Sequence, residues 1–344
     1  MIVKDEEECL QTALESTVGL ADEVVVVDTG STDRTLDIAR EFGCRVFTGA
    51  DRMHKAQSRN LAMDKATSEW IVTLDADERI TDPVGLRAYI KDTNEQKLAL
   101  ALYIRLTYID ESGQETASLS QLRCWKRGIL HYKYRCHELP VSTNEHPKLA
   151  QMTGFAWEHR PPRKREGWKL QYSLDRLLLD VKENPGDPRP VYYLGRQYMY
   201  MKEYKLAVKW LRHHIALGGG PDIADVWYSL SRCYQHLEGH EKEQIMAMHQ
   251  ACAINPLRRE YWGELANEHW KRGNHRLAIG LMKTALDLPP LAIGVAQLAW
   301  FSDIPEKVLA EWERRADGIR DGTGIPVAAG SGGQAADRPA KARP

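Results

Sequence analysis

Three short stretches in the second half of the chain repeat one another. VYYLGRQY (191–198), WYSLSRCY (227–234) and WGELANEH (262–269) each set a leucine before a small residue, at Leu194–Gly195, Leu230–Ser231 and Leu265–Ala266. The leucines fall 36 and 35 residues apart. Ala207 and Leu211 follow the first stretch, Ala251 and Pro256 the second, and Ala278, Met282, Ala285 and Pro290 the third. A repeat of this length is one helix–turn–helix unit, which cannot bury its apolar face alone and must stack on the next. Tryptophan usage changes with it, since Trp70 is the only tryptophan before residue 125.

The W-x-x-L-G-x-x-Y spacing is the tetratricopeptide pattern, and three matches in register outweigh an unrelated helical bundle. An all-α solenoid is expected over residues 165–315, with ENPGDP (183–188) as the linker that opens the array. The last stretch, 318–344, is rich in Gly, Ala and Pro and is expected to be a disordered tail.

Residues 1–160 read differently. Strand-like and helix-like segments alternate: MIV, then a helix from DEEECLQTALESTVGLAD, then the β-branched run EVVVVD (23–28). TGSTDRTLDIAREFG follows as a helix, with Ser31 or Thr32 as N-cap and Gly43 past its end. CRVF, KAQSRNLAMDKA and EWIVTL continue the alternation, which predicts a mostly parallel sheet covered by helices. After LALALYIRLTYID the pattern becomes alternating strands, so the sheet is expected to be mixed, with an antiparallel addition.

Composition excludes several classes. The 344 residues carry a net charge of −1, which gives no case for nucleic acid or an anionic membrane as partner. Hydrophobic content of 43% is enough for a sizeable core. Cys9, Cys44, Cys124, Cys136, Cys233 and Cys252 are scattered without a C-x-x-C pair, as suits reduced structural thiols. The acidic start, Asp5 to Glu8, is unlike a signal peptide, and no apolar run reaches the ~18 residues of a membrane span. A soluble cytoplasmic protein with no membrane span is expected.

Two acidic clusters stand at strand ends, where open α/β sheets bind ligands. In TLDADE, Asp75 and Asp77 lie two apart, so on an extended segment both carboxylates would face one side and offer hard oxygens to Mg²⁺ or Mn²⁺. Glu78 is a flanking or capping acid. Asp28 could accept from a nucleobase or ribose, or could cap its own turn. Lys55 and Arg59 share a helix face and could grip a diphosphate, or form a solvated basic face. No G-x-G-x-x-G follows the first strand and no P-loop motif is present.

MIVKDEE, VVVVDTGSTDRT, AQSRNLAM and WIVTLDADE, in this order and spacing, resemble the inverting family 2 glycosyltransferases of the GT-A fold. More narrowly, the chain is similar to bacterial and phage members with a tetratricopeptide array behind the transferase. The resemblance covers roughly residues 1 to 290. It implies a nucleotide-diphosphate sugar, a UDP-sugar foremost, and transfer of a hexose to an acceptor hydroxyl or thiol. It also implies Mn²⁺ or Mg²⁺, with Asp77 as main metal ligand, Asp75 at metal or ribose, Asp28 at the uracil or ribose, and Arg59 near the donor.

The family often shows a His-Glu pair after an R-x-F/W-K/R strand, which LRCWKRGILHYKYRCHEL matches with Arg123, Trp125, His137 and Glu138. That match makes Glu138 the candidate base and His137 a contact for metal or diphosphate. His159, in WEHR, is a further candidate for metal or phosphate, or a structural histidine. Two departures stand out: the first strand is expected to be short, and Asp5 stands where the family has Asn. Repeat surfaces bind extended segments, so a peptide or protein acceptor held by the repeats is expected. A saccharide or lipid-linked acceptor is the alternative. The other class is a tetratricopeptide adaptor with an inactive transferase domain, which the intact acids speak against.

Overall fold

The computed structural model describes residues 1–49, 54–97, 99–143, 149–161, 169–220, 223–289, 296–297 and 304–320. It divides into two compact units: Met1–Gly220 with Leu291–Gln297, and Pro221–Pro290 with Leu298–Pro344.

The first unit opens with a three-stranded parallel sheet, β1 (Ile2–Val3), β2 (Val25–Asp28) and β3 (Arg45–Thr48), with β2 in the centre. Every residue of β2 is buried, as its unbroken β-branched run requires. Helices α1 (Leu10–Glu15) and α2 (Thr35–Glu41) pack on this sheet through Leu10, Leu14 and Ala39. β1 is short, as expected.

α1 is much shorter than the expected helix. Asp5 to Glu7 are drawn instead into the loop after β2. Thr32 N–H donates to Asp5 Oδ1 at 2.7 Å, Glu6 N–H to Thr35 Oγ1 at 2.7 Å, and Arg34 N–H to Glu7 Oε2 at 3.0 Å. These bonds satisfy loop amides that a longer helix would leave open. The N-cap of α2 is Arg34 rather than Ser31 or Thr32, and Asp33 Oδ1 accepts the Thr35 N–H that begins the helix. Gly43 ends that helix with φ of +83°, a value glycine adopts without steric cost.

α3 (Lys55–Lys65), β4 (Trp70–Val72), β5 (Glu78–Ile80), α4 (Pro83–Glu95), β6 (Ala101–Ile109) and β7 (Glu115–Lys126) follow. β8 (Leu130–Lys133) and β9 (Leu139–Ser142) form a hairpin, and β10 (Leu149–His159) closes the strand-rich region. The larger sheet runs β11 (Ala296–Gln297), β7, β6, β10, β5, with β4 also on β7. Only β6 and β10 are parallel in it; the other pairs are antiparallel. The predicted parallel order therefore holds for β1–β3, and the rest is the mixed addition. Its core contains Leu102, Ile104, Leu106 and Trp157.

The main run of strands ends at His159, and from Lys169 to Asp287 the described elements are all helices. α5 (Lys169–Glu183), α6 (Pro188–Tyr200) and α7 (Tyr204–Ala216) complete the first unit. ENPGDP behaves as the expected linker: Asp187 accepts from Arg189 N–H as N-cap of α6, and Pro188 opens the helix. A Cβ on Gly195 would lie 2.8 Å from Leu211 Cγ and 3.2 Å from its backbone N. α6 and α7 thus approach closely because residue 195 has no side chain.

The second unit holds α8 (Ile223–Tyr234), α9 (Glu241–Ile254), α10 (Arg259–Lys271), α11 (His275–Asp287) and α12 (Ile304–Arg320). Ser231 and Ala266, both buried, take the place of Gly195, and Leu194, Leu230 and Leu265 are fully buried. α12 runs to Arg320, and the expected tail beyond it lies outside the described residues. Among the described residues no helix is long and apolar enough to cross a membrane.

Candidate active site

β4 carries Ile71, and then Leu74, into the core before the chain turns. Glu78 N–H donates to the Asp75 carbonyl at 3.1 Å, closing a turn through Ala76 and Asp77. The two aspartates therefore do not lie on an extended segment, and their carboxylates face different partners. Asp75 Oδ1 accepts from Arg59 Nη2 at 2.8 Å, while Asp77 Oδ1 lies 3.5 Å from His159 Nδ1. Register explains the second contact, since antiparallel pairing of β10 on β5 sets His159 opposite Glu78. Arg160 N–H then ties the end of β10 to the Asp77 carbonyl at 2.8 Å.

Arg59 stands at the centre. α3 lays its side chain over the Tyr132 ring, and Nε donates to Glu138 Oε1 at 2.9 Å. One guanidinium thus brings together Asp75 and Glu138. Arg123 from β7 does the same beneath, bonding to Glu78 and lying 3.8 Å from Asp75 Oδ2. The other oxygen of Glu78 accepts the Asp75 N–H at 3.0 Å, so this acid supports the turn rather than facing solvent.

Three buried or half-buried carboxylates share two guanidinium groups, and this offsets their mutual repulsion. Burial opposes charge on Asp75, but Arg59 and Arg123 outweigh it and hold its carboxyl well below the usual range. Burial also opposes charge on Glu138, yet Lys55 and Arg59 set it at about 2. Glu78 goes the other way: burial outweighs Arg123, Asp75 and Asp77 add to it, and the carboxyl is pushed up to about 7.

Asp28 turns back on its own loop. Its carboxylate accepts from Gly30 N–H and Ser31 N–H, each at 3.0 Å, and from the Ser31 hydroxyl, so of its two open readings the capping one is built here. Lys55 opens α3 exposed, and no ion pair joins it to a described residue. His137 has left-handed backbone, φ +53°, and its ring stacks on Tyr193 with centroids 4.0 Å apart. Burial, with Arg196 nearby, lowers its pKa to about 3, so the imidazole is neutral at physiological pH.

Among the described residues no three His, Cys, Asp or Glu side chains converge as a complete metal site. A cavity of about 360 Å³ lies elsewhere, lined by Val25, Ala62, Trp70 and Val72, and touches this cluster only at Arg59. Arg123 was legible as the arginine of the R-x-W-K strand. Asp180 of α5, which accepts the Arg135 and Cys136 N–H groups just before Glu138, carries no local signal because these partners lie 45 and 44 residues away.

Residues 1–150 match the model of glycosyl transferase family 2. This segment is a family 2 glycosyltransferase domain. Over 84% of the chain, and 75% of the relative, the protein is 27% identical to a TPR repeat-containing protein of Synechococcus elongatus. It is 28% identical to an uncharacterized glycosyltransferase of Rickettsia prowazekii, over 43% of this chain and 51% of that protein. An uncharacterized glycosyltransferase of Rickettsia bellii is 33% identical over 31% of this chain and 36% of its own. The chain thus spans about half or less of these rickettsial relatives. A crystal structure of MamA covers 45% of this chain and 90% of its own, at 18% identity and a TM-score of 0.33. The transferase domain supplies Arg59, Asp75, Asp77 and Glu138, and the helix pairs follow it.

Proposed function

We propose that the protein is a metal-dependent, inverting glycosyltransferase that moves a hexose from a nucleotide-diphosphate sugar, a UDP-sugar foremost, to an acceptor hydroxyl or thiol. The observation that carries this reading is Arg59. It joins the Asp75–Asp77 turn to Glu138 in one charged cluster, so donor-side and acceptor-side groups meet.

Asp77 and His159 fit a divalent cation best: a carboxylate oxygen and an imidazole nitrogen face each other, both half-buried. Asp75 fits less well, because two guanidinium groups already compete for its oxygens. His137 is occupied by stacking on Tyr193. Mn²⁺ or Mg²⁺, when bound, neutralises charge on the diphosphate leaving group.

The chain's own residues do the rest. The acceptor O–H or S–H attacks the anomeric carbon from the face opposite the diphosphate, Glu138 takes the proton, and the bond from that carbon to the diphosphate oxygen breaks. A carboxylate at about 2 is a weak base while Arg59 holds it. A diphosphate that draws Arg59 away strengthens Glu138 at the moment of transfer. Asp28 orders the loop on the nucleoside side, Lys55 faces the phosphates, and the repeats hold a peptide or protein acceptor in the cytoplasm.

A thermal-shift panel of UDP-, GDP- and dTDP-sugars with and without Mn²⁺ tests the proposal. One sugar nucleotide, a UDP-sugar, is expected to raise Tm only with the metal present. If none of them does so, the adaptor reading takes its place.

A further inference from the structure

The segment that carries Glu138 is not held by the transferase domain alone. Its anchors lie on α5 and α6, within the same compact unit. Asp180, 1% exposed, accepts Arg135 N–H at 2.8 Å and Cys136 N–H at 3.0 Å. Arg135 closes a two-bond pair with Glu183, at 2.9 and 2.6 Å. On α6, the N-cap Asp187 accepts from Lys133 Nζ at 2.8 Å and from the Tyr134 hydroxyl at 2.7 Å. Arg189 donates to the His137 carbonyl at 3.3 Å, and Tyr193 stacks on the His137 ring.

These contacts fall on a stretch whose backbone resists its own conformation. Tyr134 (φ +75°) and His137 (φ +53°) are left-handed, a region unfavourable for residues with side chains unless surrounding structure enforces it. Asp187, Arg189 and Tyr193 of α6 meet these two residues, and the side chain next along is the carboxylate bonded to Arg59.

We infer that α5 and α6 are part of the catalytic apparatus, with Asp180 as a positioning residue that holds the Arg135–Glu138 segment and so aims Glu138. The inference rests on the reading of Glu138 as base, but its structural half stands independently. The Tyr193 faces are taken by His137, Arg189 and Arg196, so this part of α6 is a clamp rather than a platform for a sugar ring. The first repeat thereby has a second task beside any partner it binds.

Cys136 reports on the clamp without reference to activity. Its thiol lies in a core with Leu174, Leu177 and Leu194, and Cys124 lies in a different core as an internal control. In full-length Asp180→Ala, alkylation of Cys136 followed by peptide mass spectrometry is expected to accelerate by about tenfold or more, as a buried group becomes exposed by local opening. Cys124 stays protected. The kcat is expected to fall by on the order of 10²-fold through misplacement of the base, with the donor KM unchanged. Asp180→Asn, which keeps one oxygen for both amides, restores most of both.

If Asp180→Ala does not fold, Tyr193→Leu puts a smaller apolar side chain in place of the ring that meets His137, Arg189 and Arg196; it is expected to lower kcat and leave donor affinity intact. Unchanged Cys136 reactivity in folded Asp180→Ala overturns the inference, as does unchanged kcat when Cys136 has become reactive. A wild-type protein that binds no sugar nucleotide sinks the transferase reading instead, and the Cys136 rates still judge the clamp.

Discussion

At the scale of single residues, the site is an exchange of charge between two arginines and three acids. Asp77→Ala is expected to abolish the Mn²⁺-dependent part of sugar-nucleotide binding while leaving the fold intact, because its carboxylate is half-buried beside His159. Calorimetric titration with UDP and Mn²⁺ checks this, and undiminished metal-dependent binding refutes the assignment. Glu138→Gln is expected to lower kcat by about 10²–10⁴-fold, the usual range for a lost general base. Its pH behaviour is informative. With Glu138 at about 2 in the free protein, kcat/KM has no acid limb from this group near neutral pH, whereas kcat, which reports the bound complex, acquires one at higher pH as the diphosphate recruits Arg59. Glu78 gives the opposite linkage. Burial raises its folded-state pKa to about 7, above the 4.5 of a free glutamate, so its stabilising contribution is full below 4.5 and lost as pH rises through 7. The Tm of Glu78→Gln relative to wild type should therefore shift in favour of the variant between pH 4.5 and 7. Asp75, Asp77 and Glu138 were visible in the sequence. Which guanidinium each would meet was not, because Arg59 reaches Asp75 and Glu138 across 16 and 79 residues.

At the scale of elements, periodicity read well and boundaries read poorly. The repeat leucines predicted α6, α8 and α10, since burial at one position in every helical pair leaves a strong local imprint. α1 is shorter than its sequence predicts because its acidic start bonds to a loop near residue 33, a tertiary choice that local propensity does not encode. The apolar approach to D-A-D looks like a strand and predicts an extended segment, yet the Glu78 N–H to Asp75 carbonyl bond makes it a turn. The small residue of each repeat has a measurable purpose. Gly195→Ala would gain helix propensity of about 1 kcal/mol, but it sets a Cβ 2.8 Å from Leu211 Cγ and 3.2 Å from a backbone nitrogen that cannot rotate away. Overpacking of about 1–3 kcal/mol should win, lowering Tm by several degrees in thermal melts. A higher Tm would show that α6 and α7 separate at little cost.

For the molecule as a whole, the point where strands give way to helices is not the point where one compact unit ends. The main run of strands ends at His159, but the first unit runs on to Gly220 and also takes in β11. A fragment of residues 1–160 is therefore expected to be cleaved rapidly by protease around 133–138, whereas 1–220 resists, as limited proteolysis can show. The larger sheet adds a kinetic consequence. β10 reaches back to β5 and β6 across roughly fifty to eighty residues, and such distant strands meet late in folding because loop closure must come first. Asp77 and His159 face each other only after that closure, and Arg59 meets Glu138 only once its clamp has formed. The charged centre should thus be among the last parts to assemble and the first to open: substitutions there would speed unfolding and leave the folding rate almost untouched.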